Sequence, residues 1–179
     1  MTALILPWNG ILPEIAGDVW LAPNAAVIGD VAIGPGSGIW FACTVRGDVN
    51  EIRIGARTNI QDGTVIHVTG GGHGTYVGDD VTVGHAAVLH ACTLESGSFV
   101  GMQACVMDGA VVETGGMVAA GALVTGGKRV RRGELWAGRP AKPLRELTTE
   151  ERDYIPVSAA KYADLAARYR AAASGREGP

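Results

Sequence analysis

Three of the four histidines in this 179-residue chain, His67, His85 and His90, fall where the sequence repeats itself. Neutral imidazole is a good zinc ligand. Two rings on neighbouring strands, about 4.8 Å apart at the backbone, can share one ion with Zn–N bonds of about 2.0–2.1 Å. Three histidines plus one open position make the ligand set of a catalytic zinc site. Zinc lowers the pKa of water in that position to about 7, which gives a hydroxide nucleophile at neutral pH. This chemistry needs a scaffold that brings the three rings together.

The scaffold is written as a six-residue beat. Ile15, Leu21, Val27, Ile33, Ile39 and Val45 are six apart; the beat resumes at Ile54, Ile60 and Ile66, then at Val77, Val83 and Leu89. It continues through Leu94, Val100, Val106, Val112, Val118 and Val124. Small residues recur four places on, among them Ser37, Cys43, Thr58 and Thr64. No helix has this period; it marks a parallel β-helix of hexapeptide units. Six residues form one side of a triangular coil and three sides close it, so hexad n stacks on hexad n+3. The pattern predicts eighteen hexads in six coils. The first residue of each points inward and the second outward, because strand side chains alternate. Three extra residues between Val45 and Ile54, and a glycine loop at Gly70-Gly71-Gly72-His73-Gly74, interrupt the beat.

This register assigns positions to the candidate residues. Arg46, His67 and His90 are second residues of stacked hexads and share one outward column, with His67 and His90 on adjacent coils. His85 is the third residue of its hexad, on the preceding side of the triangle. Outward side chains on two sides of a convex prism diverge. His85 is therefore expected to reach an ion held by His67 and His90 of a neighbouring chain. The simplest closed assembly is a C3 trimer with three interfacial sites. Gln61 and Asp62 stack beneath Gly84 and His85. Asp62 is a candidate to orient a ligand histidine, and Gln61 to hydrogen-bond the metal-bound hydroxide. Arg46 and Asp48 read as a subunit contact or as a solvated surface pair.

The formal net charge of −3 gives no reason to expect nucleic acid as a partner. No segment is apolar for long enough to span a membrane. The N-terminus lacks the regions of a secretory signal, so a cytoplasmic protein is expected. Cys43, Cys92 and Cys105, odd in number and without CxxC spacing, read as free packing thiols. The prism is expected over residues 1–125 and a basic, Gly/Pro-marked connector over 126–147. A helix is expected over 148–173, packed on the prism or on a neighbouring subunit, with a disordered tail at 174–179. Thr148 and Glu151 have capping-box spacing, Pro156 interrupts the early part, and Tyr162, Leu165, Ala166, Tyr169 and Ala173 form the packing stripe.

Val45-Arg46-Gly47-Asp48, Asn59-Ile60-Gln61-Asp62-Gly63, Val65-Ile66-His67, Val83-Gly84-His85, Leu89-His90, Val100-Gly101-Met102 and Gly138-Arg139-Pro140-Ala141-Lys142 together resemble the γ-class carbonic anhydrases and their bacterial relatives. The resemblance runs from Ile11 to the C-terminal helix. It implies a left-handed β-helix and a homotrimer with metal at the subunit interfaces. It implies His67, His85 and His90 as ligands of Zn2+, with Fe2+ or Co2+ as alternatives. It links Arg46 and Asp48 to subunit contacts and the bicarbonate site, Gln61 to the metal-bound water, and Asp62 to an arginine. Asn59, His73 and Tyr162 are further candidates.

The chain departs from the family pattern in two places. Glycines and His73 stand where the best-studied members carry a proton-shuttling glutamate, and Val49 follows Asp48 where a second catalytic glutamate can stand. An ordinary histidine titrates near neutral pH, which makes His73 the candidate shuttle. The expected reaction is the reversible hydration of CO2 to bicarbonate. The competing readings are an acyltransferase, holding acyl-CoA between coils of the same solenoid, and a non-catalytic metal-binding or assembly protein.

Overall fold

In the computed structural model, which describes residues 2–175, the strands pair in parallel at the register the hexads demand. Ile15 stacks through Ile33, Ile54, Val77 and Leu94 to Val112. Leu21 stacks through Ile39, Ile60, Val83 and Val100 to Val118. Val27 stacks through Val45, Ile66, Leu89 and Val106 to Val124. Nearly all of these side chains are buried and form one continuous core, each contributing about 1.5–3 kcal/mol of hydrophobic stabilisation. The fold is a left-handed parallel β-helix with one C-terminal α-helix.

The solenoid is longer than expected. Val112 pairs with Val130 and Val118 with Trp136, while Ile5 pairs with Val27 at the other end. Each column therefore holds seven residues in register, one level more than the six coils read from sequence. The stretch 126–147, expected as a connector, holds the strands Arg129–Val130, Glu134–Gly138 and Ala141–Glu146. The last of these folds back antiparallel on its predecessor. The beat persists because Val130 and Trp136 are six and twelve residues beyond Val124 and are buried. The basic residues around them take exposed positions.

The extra residues after Val45 are absorbed in the eleven-residue strand Thr44–Ile54, against a register shift between Gly29 and Val31. Gly47, between Arg46 and Asp48, is required there: a Cβ on it would stand 2.5 Å from the Asp30 carbonyl oxygen.

The helix α1 (Thr149–Ala173) opens with the expected capping box of Thr148 and Glu151. It runs unbroken through Pro156. Proline inside a helix removes one backbone bond and crowds the preceding turn. Burial of Ile155, Ser158, Ala159 and Ala166 against the prism offsets that cost. α1 lies on its own chain's prism, over the strands Trp20–Leu21, Gly38–Ile39, Asn59–Ile60 and Thr82–Val83. Tyr162 and Tyr169 stand edge-on to Trp40 at centroid distances of 5.4 and 5.3 Å. Ser174 forms the helix C-cap, and the rest of the expected tail, from residue 176, lies outside the described residues. Among the described residues, no helix is long and apolar enough to cross a membrane.

Candidate metal centre

His67 and His90 end the paired strands Val65–His67 and Val88–His90 and are direct partners in register. Ile66 and Leu89 fill the core, so alternation turns both histidines outward. The ring centroids are 5.2 Å apart, and His67 Nδ1 lies 3.2 Å from His90 Nε2. Two nitrogens on one tetrahedral zinc, at about 2.0–2.1 Å each, would stand about 3.3 Å apart. The observed spacing fits one ion.

Each outer nitrogen meets a carboxylate. His67 Nε2 is 2.9 Å from Asp48 Oδ1, and His90 Nδ1 is 2.7 Å from Asp108 Oδ1. The other Asp48 oxygen accepts from Arg46, and the other Asp108 oxygen accepts from the Thr69 hydroxyl. The result is one polar column, Arg46–Asp48–His67–His90–Asp108–Thr69. Because the carboxylates take the outer N–H groups, the inner nitrogens turn lone pairs toward each other. A cation, or a single shared proton, satisfies that arrangement. Burial pushes the Asp48 carboxyl up, but hydrogen bonds from His67 and Arg46 outweigh it and hold it below its ordinary pKa. The Thr69 hydroxyl, and then His90, hold Asp108 down in the same way.

His85 belongs to a different side of the prism. Its Nδ1 lies 2.7 Å from Asp62 Oδ2, and the second Asp62 oxygen accepts from the Phe41 backbone N–H at 3.1 Å. Nε2 of this half-exposed ring is left as the free ligand atom. Gly84 before it admits no side chain, since a Cβ would stand 2.6 Å from the Met102 nitrogen. Gln61 is buried beside Asp62, and its Nε2 donates to Asn59 Oδ1 at 3.0 Å. Among the described residues, no three His, Cys, Asp or Glu side chains of the chain converge on a point.

No family model matches the chain. It is 51% identical over 164 residues, 89% of its length, to gamma carbonic anhydrase 1, mitochondrial, of Arabidopsis thaliana, and spans 60% of that protein. It is 40% identical over 148 residues to the carbonic anhydrase of Geobacillus kaustophilus, covering 83% of this chain and 81% of that one. The chain belongs to the γ-class carbonic anhydrase family. A solved structure described as a hexapeptide transferase family protein, from Anaplasma phagocytophilum, is also similar: 49% identity, TM-score 0.89, with 93% of this chain and 98% of that one covered.

Within this member of the γ-carbonic anhydrases, the residues singled out in sequence sort into three places. Arg46, Asp48, His67 and His90 share one column; Asn59, Gln61, Asp62 and His85 share another. Asp62 meets a histidine here, where the resemblance implied an arginine partner. His73 and Tyr162 lie apart. His73 is exposed on the glycine loop, where a Cβ built on Gly109 would be 3.9 Å from its Cδ2. Tyr162 packs on Trp40. The loop itself is tied down by Asn50 Nδ2, which donates to the Thr69 and Gly72 carbonyls at 3.2 and 3.0 Å.

Sequence reasoning missed Asp108 and Thr69. Asp108 is the third residue of the hexad at Val106, directly above the coil of His90, and His85 holds the same place in its own hexad. Third positions as well as second ones would have found it. The cysteines take no part in either column. Burial pushes the Cys43 thiol up to about 11 and Cys92 to about 12, so both stay protonated packing groups.

Proposed function

We propose that this chain is a metal-dependent carbonic anhydrase that interconverts CO2 and bicarbonate, acting in the cytoplasm as a homotrimer with its sites between subunits. The 3.2 Å spacing of His67 Nδ1 and His90 Nε2, with His85 oriented on a separate side, is the observation that carries this reading. His67 and His90 of one subunit and His85 of the next would hold the ion. Zinc suits three imidazoles, and Fe2+ or Co2+ also accept nitrogen donors. A bound ion lowers the pKa of a water it holds to about 7 and so supplies a nucleophile at neutral pH.

The chain's own side chains do the rest. Asp48, Asp108 and Asp62 hold the imidazoles in the tautomer that leaves one nitrogen free for the ion. Arg46, anchored by Asp48, places a positive charge beside the column where the bicarbonate anion forms. Gln61 offers a fixed amide from the wall that carries His85. On this reading His73, exposed on the glycine loop, would pass the proton to buffer.

Metal analysis of protein purified without chelator, joined to a stopped-flow pH-indicator assay of CO2 hydration, tests the reading. About one ion per chain is expected, since a C3 trimer has three sites, together with hydration that disappears on chelation. A loaded protein without hydration above background would leave a metal-binding assembly protein instead. The relation to a hexapeptide transferase family protein favours a second reading, acyl transfer. It requires CoA-dependent acylation that is indifferent to chelation.

A further inference from the structure

Beneath α1, four polar side chains are buried in a row: Asn59, Gln61, Thr82 and Ser158, with relative exposures of 1%, 4%, 1% and 3%. Around them α1 meets the prism through Trp40, Ala159 and Ala166, all apolar and buried. Buried polar groups are costly unless paired, and a helix that only packs would be served by alanine and valine. These four form one directed chain. Gln61 Nε2 donates to Asn59 Oδ1 at 3.0 Å. Asn59 Nδ2 donates to the Val81 carbonyl at 3.2 Å and to Thr82 Oγ1 at 3.0 Å. The Thr82 hydroxyl donates to Ser158 Oγ at 3.1 Å.

The amide end of this chain has one direction. A carbonyl only accepts, so the Asn59 nitrogen must face Val81 and its oxygen must face Gln61. Gln61 then turns its own nitrogen inward. Its Oε1 is the remaining end of the chain. Thr82 accepts from Asn59 and its hydroxyl is tied to that of Ser158.

We propose that Thr82 and Ser158 are positioning residues for the hydration reaction: the Val81 carbonyl sets which way the Asn59 amide faces, and Ser158 and Thr82 hold that amide, and through it Gln61, in place with Oε1 free at the site. The helix thus steadies a site it does not enter. This inference rests on reading Gln61 as part of the hydration site.

Ser158→Ala, Thr82→Val and the conservative Ser158→Thr test it. For the first two, kcat is expected to fall about tenfold, as for other outer supports of a metal site, with metal content and KM for CO2 unchanged. Ser158→Thr is expected to restore kcat. A second measurement is hydrogen exchange of the Gln61 side-chain amide by NMR in metal-free protein, assigned by its loss in Gln61→Glu. Exchange should be slow in the wild type and faster in Ser158→Ala and Thr82→Val. Unchanged Gln61 exchange in both variants overturns the proposal, whatever happens to kcat. If the wild type hydrates no CO2, the functional reading falls, and the exchange measurement alone decides whether α1 positions Gln61. Should Thr82→Val fail to fold, Ser158→Ala carries the same decision.

Discussion

His67 and His90 stand one rung apart with a carboxylate on each outer nitrogen, whereas His85 stands on another side of the prism with Asp62 as its single support. The first face is a two-donor site fixed by strand register and by the loop that carries Thr69. The second offers one donor and the Gln61 amide, and it is stiffened by α1. Neither face is a metal site alone: two nitrogens hold an ion weakly, and one scarcely at all. On the proposed reading the difference teaches that the chain carries two complementary halves, which would become a centre when one copy's pair meets another copy's single ring.

The sharpest way to break that comparison is complementation. His90→Ala and His85→Ala are each expected to abolish CO2 hydration and tight metal retention. Unfolded together in equal amounts and reassembled, the two inactive variants should regain activity. A working site needs an intact pair on one subunit and an intact His85 on the next, so random assembly gives about a quarter of the sites. A mixture as dead as its components would mean that the halves do not meet across subunits.

The outer carboxylates give the next largest effect. Asp108→Asn removes the negative charge and one of the two acceptor oxygens, leaving His90 and Thr69 to compete for the other, and metal affinity measured by chelator competition should weaken about 10- to 100-fold. Thr69→Val should do the same more weakly, since it only steadies Asp108. The same carboxylates set an acid limit in metal-free protein. Asp48 and Asp108 are both held below their ordinary pKa when folded. Their contribution is therefore present above the ordinary carboxylate range and is lost as pH falls through the folded values. Denaturant midpoints below about pH 4, the unperturbed range for aspartate, should fall less steeply in Asp108→Asn than in the wild type. Equal slopes would remove these carboxylates from the account.

How much of this was legible follows from what each feature depends on. The core columns depend on a six-residue period, and the His67–His90 pairing on that period once the five extra residues of the glycine loop are set aside, since Ile66 and Leu89 are 23 apart, eighteen plus five. The last level, through Val130 and Trp136, keeps the same beat. It was hidden because charged outward residues and glycine turns dominate the composition there and read as a connector. Pro156 misled for a related reason: a local rule predicts an interruption, while burial of Ile155 and Ala159 beside it decides the outcome. Asp108, Thr69, Thr82 and Ser158 escaped because they act through side-chain partners 18 to 76 residues away. No period records such partners; only the folded register brings them together.

The smallest effect tests whether the halves are independent. The main contacts of α1 are with the face of Gln61 and His85, so loosening its start should be felt there first. The Thr148 hydroxyl accepts from the Glu151 backbone N–H at 3.2 Å, and the Glu151 carboxylate accepts from the Thr148 N–H at 2.9 Å. Arg145, then the Thr148 backbone, lower the Glu151 carboxyl to about 2. Its contribution to the cap is therefore full above the ordinary glutamate pKa and is lost progressively as pH falls through about 2. At neutral pH the cap is intact, and mutation is the way to remove it. Thr148→Ala should cost about 1 kcal/mol, a fall in Tm of about 2–4 °C for a chain of this size. It should quicken Gln61 amide exchange slightly, while the weak binding of Co2+ to the His67–His90 pair in a His85→Ala background stays as it was. If that residual affinity declines in step with Tm, the helix supports both faces, and the division of the site into a loop-held pair and a helix-held single ring is wrong.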